Sequence, residues 1–183
     1  EPLVIPEITQ FLQTCVSRGK ASDINLSFNT NLTILKDEVL ELWKNFKSVK
    51  LMISIDGTER VNDYIRFPAK SKTIDENLKK LALYADSINF NCSIIMTVQI
   101  YNIFDIPSFL RKVQSYNNPV LKHDFKFNIL ENPSCYSICA LPKKTRDDLI
   151  EVFQDLIVTY YEEDNFMVMN EIRSLINHLK SQD

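Results

Sequence analysis

Hydrophobic positions along the chain alternate between a helical and a strand rhythm. Ile8, Phe11, Leu12, Cys15 and Val16 share one stripe, Pro6 suits a first helical turn and Gly19 suits a stop, so residues 6–18 read as a helix. Residues 24–28 read as a short strand running into Asn29-Thr30-Asn31. Val39, Leu40, Trp43 and Phe46 make residues 36–46 a second helix. Over residues 49–55, Leu51, Ile53 and Ile55 alternate with Met52 and Ser54. That run is apolar on both faces, so it predicts a buried strand delivering Asp56 and Gly57 to its C-terminal end. Ile74, Leu78, Leu81 and Ala85 line one face of a helix over residues 73–85, where Thr73 and Glu76 have capping-box spacing. A β-branched strand at residues 92–100, a helix at 105–116 capped by Asp105 and a strand at 125–130 follow. Two helices, at about residues 143–161 and 166–180, close the chain.

Repeated strand–helix units of this length predict an α/β fold: parallel strands in one sheet with helices outside. Every predicted strand runs out into polar residues: Asn29-Thr30-Asn31, Asp56-Gly57, Gln99 with Tyr101 and Asn102, and Asn128 with Glu131 and Asn132. In parallel α/β folds the strand C-termini carry the site, whether the sheet is open or closed into a barrel. The β/α rhythm breaks at Pro133. Residues 1–141 therefore read as the strand-bearing unit and residues 142–183 as a helical segment packed on it.

Composition narrows the possibilities. A chain of 183 residues with 45% hydrophobic and 25% charged residues has enough material for one sizeable core. A net charge of −3 argues against a nucleic-acid interface. The local clusters Arg66, Lys70, Lys72 and Lys143, Lys144, Arg146 read as solvated faces, as do the carboxylates Asp147, Asp148, Glu151 and Asp155. No apolar run is long enough to span a bilayer and no signal peptide is visible, so no membrane partner is expected. Four cysteines, at 15, 92, 135 and 139, form no tight pairs. Cys15 and Cys92 read as small buried hydrophobes of a reducing compartment, the cytoplasm. Only two glycines are present, which excludes a glycine-rich phosphate loop. His123 and His178 are too few and too separated for a zinc site.

Several segments resemble one family. ISIDG at 53–57 followed by VNDYIR at 61–66 is similar to the fourth strand and following loop of radical S-adenosylmethionine (SAM) enzymes, in the branch with SPASM or twitch extensions. FNTNLT at 28–33 resembles that family's third-strand ending, and EPL at 1–3 the tail of its Gly-Gly-Glu-Pro motif. TVQIYNIFDIP at 97–107 and NILENPSCYSICALP at 128–142 resemble its fifth and sixth strands with their exits. The resemblance covers roughly residues 1 to 150 and rests on the order of five motifs rather than on any one.

The resemblance implies a partial (β/α) barrel, SAM as cofactor, and a [4Fe–4S] cluster held by three cysteines in a CxxxCxxC loop after the first strand. Reductive SAM cleavage then releases a 5′-deoxyadenosyl radical that abstracts a substrate hydrogen. CxxxCxxC does not occur in this sequence, and Cys135-x-x-x-Cys139 lies beyond the last strand without a third partner. An auxiliary cluster on Cys135 and Cys139 would normally need more cysteines than these. The chain opens on Glu1-Pro2-Leu3. It is therefore expected to be a piece of a longer protein, truncated at the N-terminus of the barrel, holding neither cofactor alone and inactive by itself.

By the same resemblance, Glu1 meets the SAM amino group and Ser54 its ribose or carboxylate; a buried serine satisfied by backbone is the plainer alternative for the second. The residues themselves leave other roles open. Asp56 suits a sugar hydroxyl, a substrate proton or simple turn chemistry. Arg66 suits a carboxylate clamp or a solvated loop. Asn29, Thr30, Asn31, Thr97, Gln99 and Asn128 are further strand-end candidates. No catalytic residue is assigned. The substrate, small molecule or peptide, is not legible. A non-catalytic module derived from such a barrel, or another β/α enzyme acting on a sugar or phosphate, remains an alternative. A strand edge left uncovered at residues 24–28 predicts homodimerisation or aggregation.

Overall fold

A computed structural model describes residues 1–162 and 165–181, without the side chains of 122–124 and 161–162; His123 thus lies outside the described side chains. Four strands, β1 (Asn25–Thr30), β2 (Ser48–Ser54), β3 (Phe90–Val98) and β4 (Leu121–Ile129), form one sheet in the order β1-β2-β3-β4. Every pairing is parallel. Helices α1 (Pro6–Ser17), α2 (Asp37–Trp43), α3 (Glu59–Ile65), α4 (Ser71–Ala82), α5 (Ile106–Ser115), α6 (Lys143–Glu162) and α7 (Phe166–Lys180) flank it. No helix among the described residues is long and apolar enough to cross a membrane.

Each connection steps to the next strand in the same direction. Right-handed crossovers then place the connecting helices on a single face, and side-chain contacts agree. Trp43 of α2 is fully buried, stacked on Phe28 of β1 and edge-on to Phe90 of β3, and Phe109 of α5 meets Phe125 of β4 edge-on. Leu26, Val49, Leu51, Ile53, Cys92, Ile94 and Met96 are buried on that face, joined by Ile74, Leu78 and Leu81 of α4.

The opposite face differs. Its register rows run Ser27–Lys50–Asn91, Asn29–Met52–Ser93, Ser54–Ile95–Lys126 and Thr97–Asn128. Most of these side chains are half-buried or exposed; Ser93 is buried. The expectation that β2 is buried on both faces is corrected accordingly: Val49, Leu51 and Ile53 are buried while Lys50 is exposed and Met52 and Ser54 are half-buried. Alternation, not a continuous apolar run, is the signature of a sheet covered on one side.

Helices α6 and α7 pack on each other, and α7 lies along β4. There Glu171 accepts a hydrogen bond from the Phe127 amide at 2.7 Å, meeting a backbone donor on the outer edge of the sheet. Arg146 is buried, not solvated, because its guanidinium donates to the Leu179 carbonyl at 3.0 Å and holds the last turn of α7. Cys15 and Cys92 are buried and form no disulfide, and Asp147, Asp148, Glu151 and Asp155 are exposed, as expected.

Four local expectations change. Helix α3 falls where a loop was expected; seven residues with few apolar positions give periodicity little to detect. Helix α4 starts at Ser71, so Thr73 and Glu76 form no capping box; Asp63 of α3 caps instead, accepting from the Ser71 amide at 2.6 Å. Asp105 occupies the N-cap position of α5 without capping it, because both its oxygens are engaged by Thr58. Phe11, placed on the inward stripe of α1, is 55% exposed.

Candidate functional site

Strands β2 and β3 end beside each other, and a polar network locks their exits together. Asp56 immediately follows β2 and is buried. Its Oδ1 accepts from the Thr97 amide at 2.8 Å, and its Oδ2 lies 2.8 Å from Arg66 Nε. That ion contact is not aligned as a hydrogen bond. The Asp56 peptide is held from both sides by asparagines with no exposed surface. Asn62 of α3 accepts from the Asp56 amide at 2.8 Å, and Asn102 donates to the Asp56 carbonyl at 3.0 Å. Asn102 also donates to the Thr97 carbonyl and accepts from the Gln99 amide, both at 2.8 Å, while Asn62 donates to the Ser71 hydroxyl at 3.2 Å.

Between the two asparagines the chain turns at Gly57, with φ +150°. A Cβ there would stand 2.6 Å from Asp105 Oδ2 and 2.9 Å from Val61 Cγ1. Only glycine lets Asp105 approach the turn, where it accepts from the Thr58 amide at 2.5 Å and the Thr58 hydroxyl at 2.8 Å. The network therefore joins three helices to two strand ends, with Arg66 Nε as its one buried donor that meets an acceptor only as an ion contact among the described residues.

Arg66 is the outward-facing member. Its side chain is 24% exposed, and neither terminal nitrogen makes a hydrogen bond among the described residues. It borders a cleft of about 350 Å³ with Asn31, Thr33, Phe67, Lys70 and Thr73. A guanidinium oriented from its Nε side, with its terminal nitrogens unengaged beside a cleft, suits a carboxylate or phosphate. Lys70 stands 3.9 Å from Asp63. Burial pushes the Asp63 carboxyl up, but the Ser71 amide and hydroxyl with Lys70 and Lys112 outweigh it, and the group is held below the ordinary carboxylate value.

The exit of β1 meets the start of the chain. Glu1 accepts from the buried Thr30 hydroxyl and from the Asn31 amide, both at 2.7 Å. Thr30 in turn accepts from the Leu32 amide at 2.9 Å, where Leu32 adopts φ +54°.

The residues singled out from sequence thus fall into three groups. Asp56, Arg66 and Thr97 are brought together; so are Glu1, Thr30 and Asn31; and Asn29, Ser54, Thr97 and Asn128 share the open sheet face. Asn29 and Asn128 are exposed and Ser54 half-buried. Gln99 belongs to the network through its amide alone. Sequence reasoning missed Asn62, Asn102, Ser71 and Asp105 as organisers. Asn62 and Asn102 stood inside the quoted motifs, and their signal was an amide, able to donate and accept at once, beside each strand exit.

The exit of β4 is looser. Short 3₁₀ turns at Ser134–Tyr136 and Ile138–Ala140 border a cleft of about 710 Å³ lined by Glu131, Asn132, Cys135, Ser137, Cys139 and His178. Cys15 and Cys92 are buried in the core, away from this cleft, so the four thiols do not form one ligand set. Among the described residues no three His, Cys, Asp or Glu side chains are placed to share a metal ion. Among the described residues the placed donors do not make an iron–sulfur site.

Compared with known proteins, the chain matches no family model and no curated protein.

Proposed function

We propose that this chain is the C-terminal part of a radical SAM catalytic domain. In this reading the four-stranded sheet is a segment of a partial (β/α) barrel, and its uncovered polar face is the barrel interior. One observation carries the proposal. Motif segments scattered over the chain, EPL, FNTNLT, ISIDG, VNDYIR and TVQIYN, converge at one end of a parallel sheet and bond to one another there. Sequential strand order with helices on one face is the arrangement a barrel requires.

SAM, when bound, supplies the radical that abstracts hydrogen. The chain's residues would hold it. Arg66, oriented by Asp56, would take the methionyl carboxylate, and Ser54 would meet the ribose or carboxylate. Glu1, positioned by Thr30 and Asn31, offers its carboxylate to the amino group. Asn29, Thr97 and Asn128 line the open face beside them. Asp56 has one oxygen on the Thr97 amide and the other on Arg66, so it positions Arg66 rather than exchanging protons. That engagement disfavours a sugar- or phosphate-processing enzyme built on Asp56 as acid or base. The cluster belongs to no residue of this chain, and its four cysteines form no disulfide, which accords with a reducing compartment.

The test uses the polypeptide extended upstream of Glu1 by its own coding sequence, reconstituted anaerobically with iron and sulfide. Cluster absorbance and reductant-dependent 5′-deoxyadenosine are expected, with Arg66→Ala raising the KM for SAM at least about tenfold. An extended protein that binds no iron and leaves SAM intact overturns the proposal and leaves a non-catalytic module.

A further inference from the structure

Tyr64 on α3, Tyr101 after β3 and Tyr136 after β4 come from three different strand exits, yet their rings form one row. The centroids of Tyr64 and Tyr101 are 5.5 Å apart with the rings inclined by 63°, and those of Tyr101 and Tyr136 are 5.7 Å apart at 49°. The three are 68%, 45% and 40% exposed. Single exposed aromatics are ordinary, but a contiguous row is the composition of binding surfaces. The row is also fixed: the Ile100 amide donates to the Tyr136 carbonyl at 3.0 Å, tying the β4 exit to that of β3. The Tyr64 phenol, burial, the Tyr136 phenol, a hydrogen bond with Tyr64 and the Cys135 thiol together push the Tyr101 phenol up, so at neutral pH it keeps its proton.

Cys135 and Ser137, the chain neighbours of Tyr136, line the 710 Å³ cleft at the same strand exit. We propose that the tyrosine row and this cleft bind an extended peptide segment. Tyrosine offers a large rigid surface and a hydroxyl at small entropic cost, a combination suited to peptide groups. Inclined rings leave notches for side chains rather than a flat platform for a base or a pyranose. Single-stranded nucleic acid needs cations beside its stacking rings, and among the described residues the cleft lining contains no lysine or arginine. Its amide and hydroxyl side chains, Asn132, Ser134 and Ser137, instead match the donors and acceptors of a backbone. The proposal goes beyond SAM binding, and SAM cleavage is not needed to score it.

Random 12-residue peptides displayed on phage would be selected against the 183-residue chain and the enriched sequences synthesised. Their affinities would be read by fluorescence anisotropy on wild type, Tyr64→Ala, Tyr101→Ala and Tyr101→Phe, with Phe11→Ala as an exposed aromatic elsewhere, and circular dichroism confirming each fold. The expected result is at least about a tenfold loss for Tyr64→Ala and Tyr101→Ala, partial retention by Tyr101→Phe and no change for Phe11→Ala. The same chain with 13C-labelled tyrosine rings would be titrated with these peptides, with oligo-dT and with maltohexaose. Ring signals that move with peptide alone support the proposal. It is overturned by no enrichment, by equal binding to the alanine variants, or by ring signals that answer to the oligonucleotide or the sugar instead.

Discussion

Two regions at the same end of the sheet are built on opposite principles. At the exits of β2 and β3, Asp56, Asn62, Thr97, Asn102 and Asp105 exchange hydrogen bonds among themselves and with nearby backbone, and Asp56, Asn62 and Asn102 are buried. At the exit of β4, Glu131, Asn132, Ser134 and Cys135 are exposed around a wide cleft. A buried network of many mutual hydrogen bonds fixes one geometry and resists change. An open rim of short turns can accept partners of varied shape. The contrast assigns fixed positioning to the first region, with Arg66 as its outward-facing product, and adaptable recognition to the second.

The largest effect that separates them is expected at Gly57. Gly57→Ala places a methyl against Asp105 and Val61 at φ +150°, and a loss of roughly 3 kcal/mol is expected from strain and displaced bonds. Gly19→Ala is the internal comparison. Its φ is +64°, but nothing stands within 4 Å of the added carbon, so only about 1 kcal/mol of backbone strain applies. Urea unfolding of the two variants reads the difference, and equal losses would mean that the β2 exit is not tightly packed.

Asn102→Ala comes next. It strips partners from the Asp56 and Thr97 carbonyls and the Gln99 amide at once, and about 2–3 kcal/mol is expected. The matched change at the β4 exit is Cys135→Ser, exposed and expected to stay within about 0.5 kcal/mol of wild type. Should Cys135→Ser cost as much as Asn102→Ala, the two exits are equally structural and the comparison fails.

Much of this arrangement was legible in the chain. Period-two and helical stripes gave the alternation of strands and helices, because one buried face imposes its spacing on the residues that fill it. Asp56 and Arg66, ten positions apart, were singled out separately; nothing local in the sequence says that they touch, since the contact depends on how α3 folds back. The bonding roles of Asn62 and Asn102 were not legible for the same reason: Asn102 reaches a carbonyl 46 positions away, and such a contact leaves no periodic mark. The missed cap at Ser71 is similar, because tertiary supply from Asp63 replaced the local box. Strand ends, by contrast, announced themselves through polar residues, and those ends hold the candidate site.

The smallest predicted effect concerns acid. Asp63 anchors α4 to α3 at the edge of the β2 exit, and its carboxyl is held below the ordinary value by the Ser71 amide and hydroxyl with Lys70 and Lys112, despite the upward push of burial. A carboxylate whose folded value is depressed contributes stability that is fully present above its unfolded value, near about 3.9. That contribution is lost as pH falls through the lower folded value. Asp63→Asn keeps the shape and an acceptor for the Ser71 amide but removes the charge. Because the side chain is 30% exposed, the expected gap at pH 7 is small, about 1 kcal/mol or less. Urea midpoints of wild type and Asp63→Asn should therefore differ at pH 7 and pH 6 and converge as the pH falls below the ordinary carboxylate range through the lowered folded value. A gap that stays constant with pH would show that the carboxylate charge at this exit does nothing a neutral amide cannot, and that hydrogen-bond shape alone distinguishes the β2 exit from its looser neighbour.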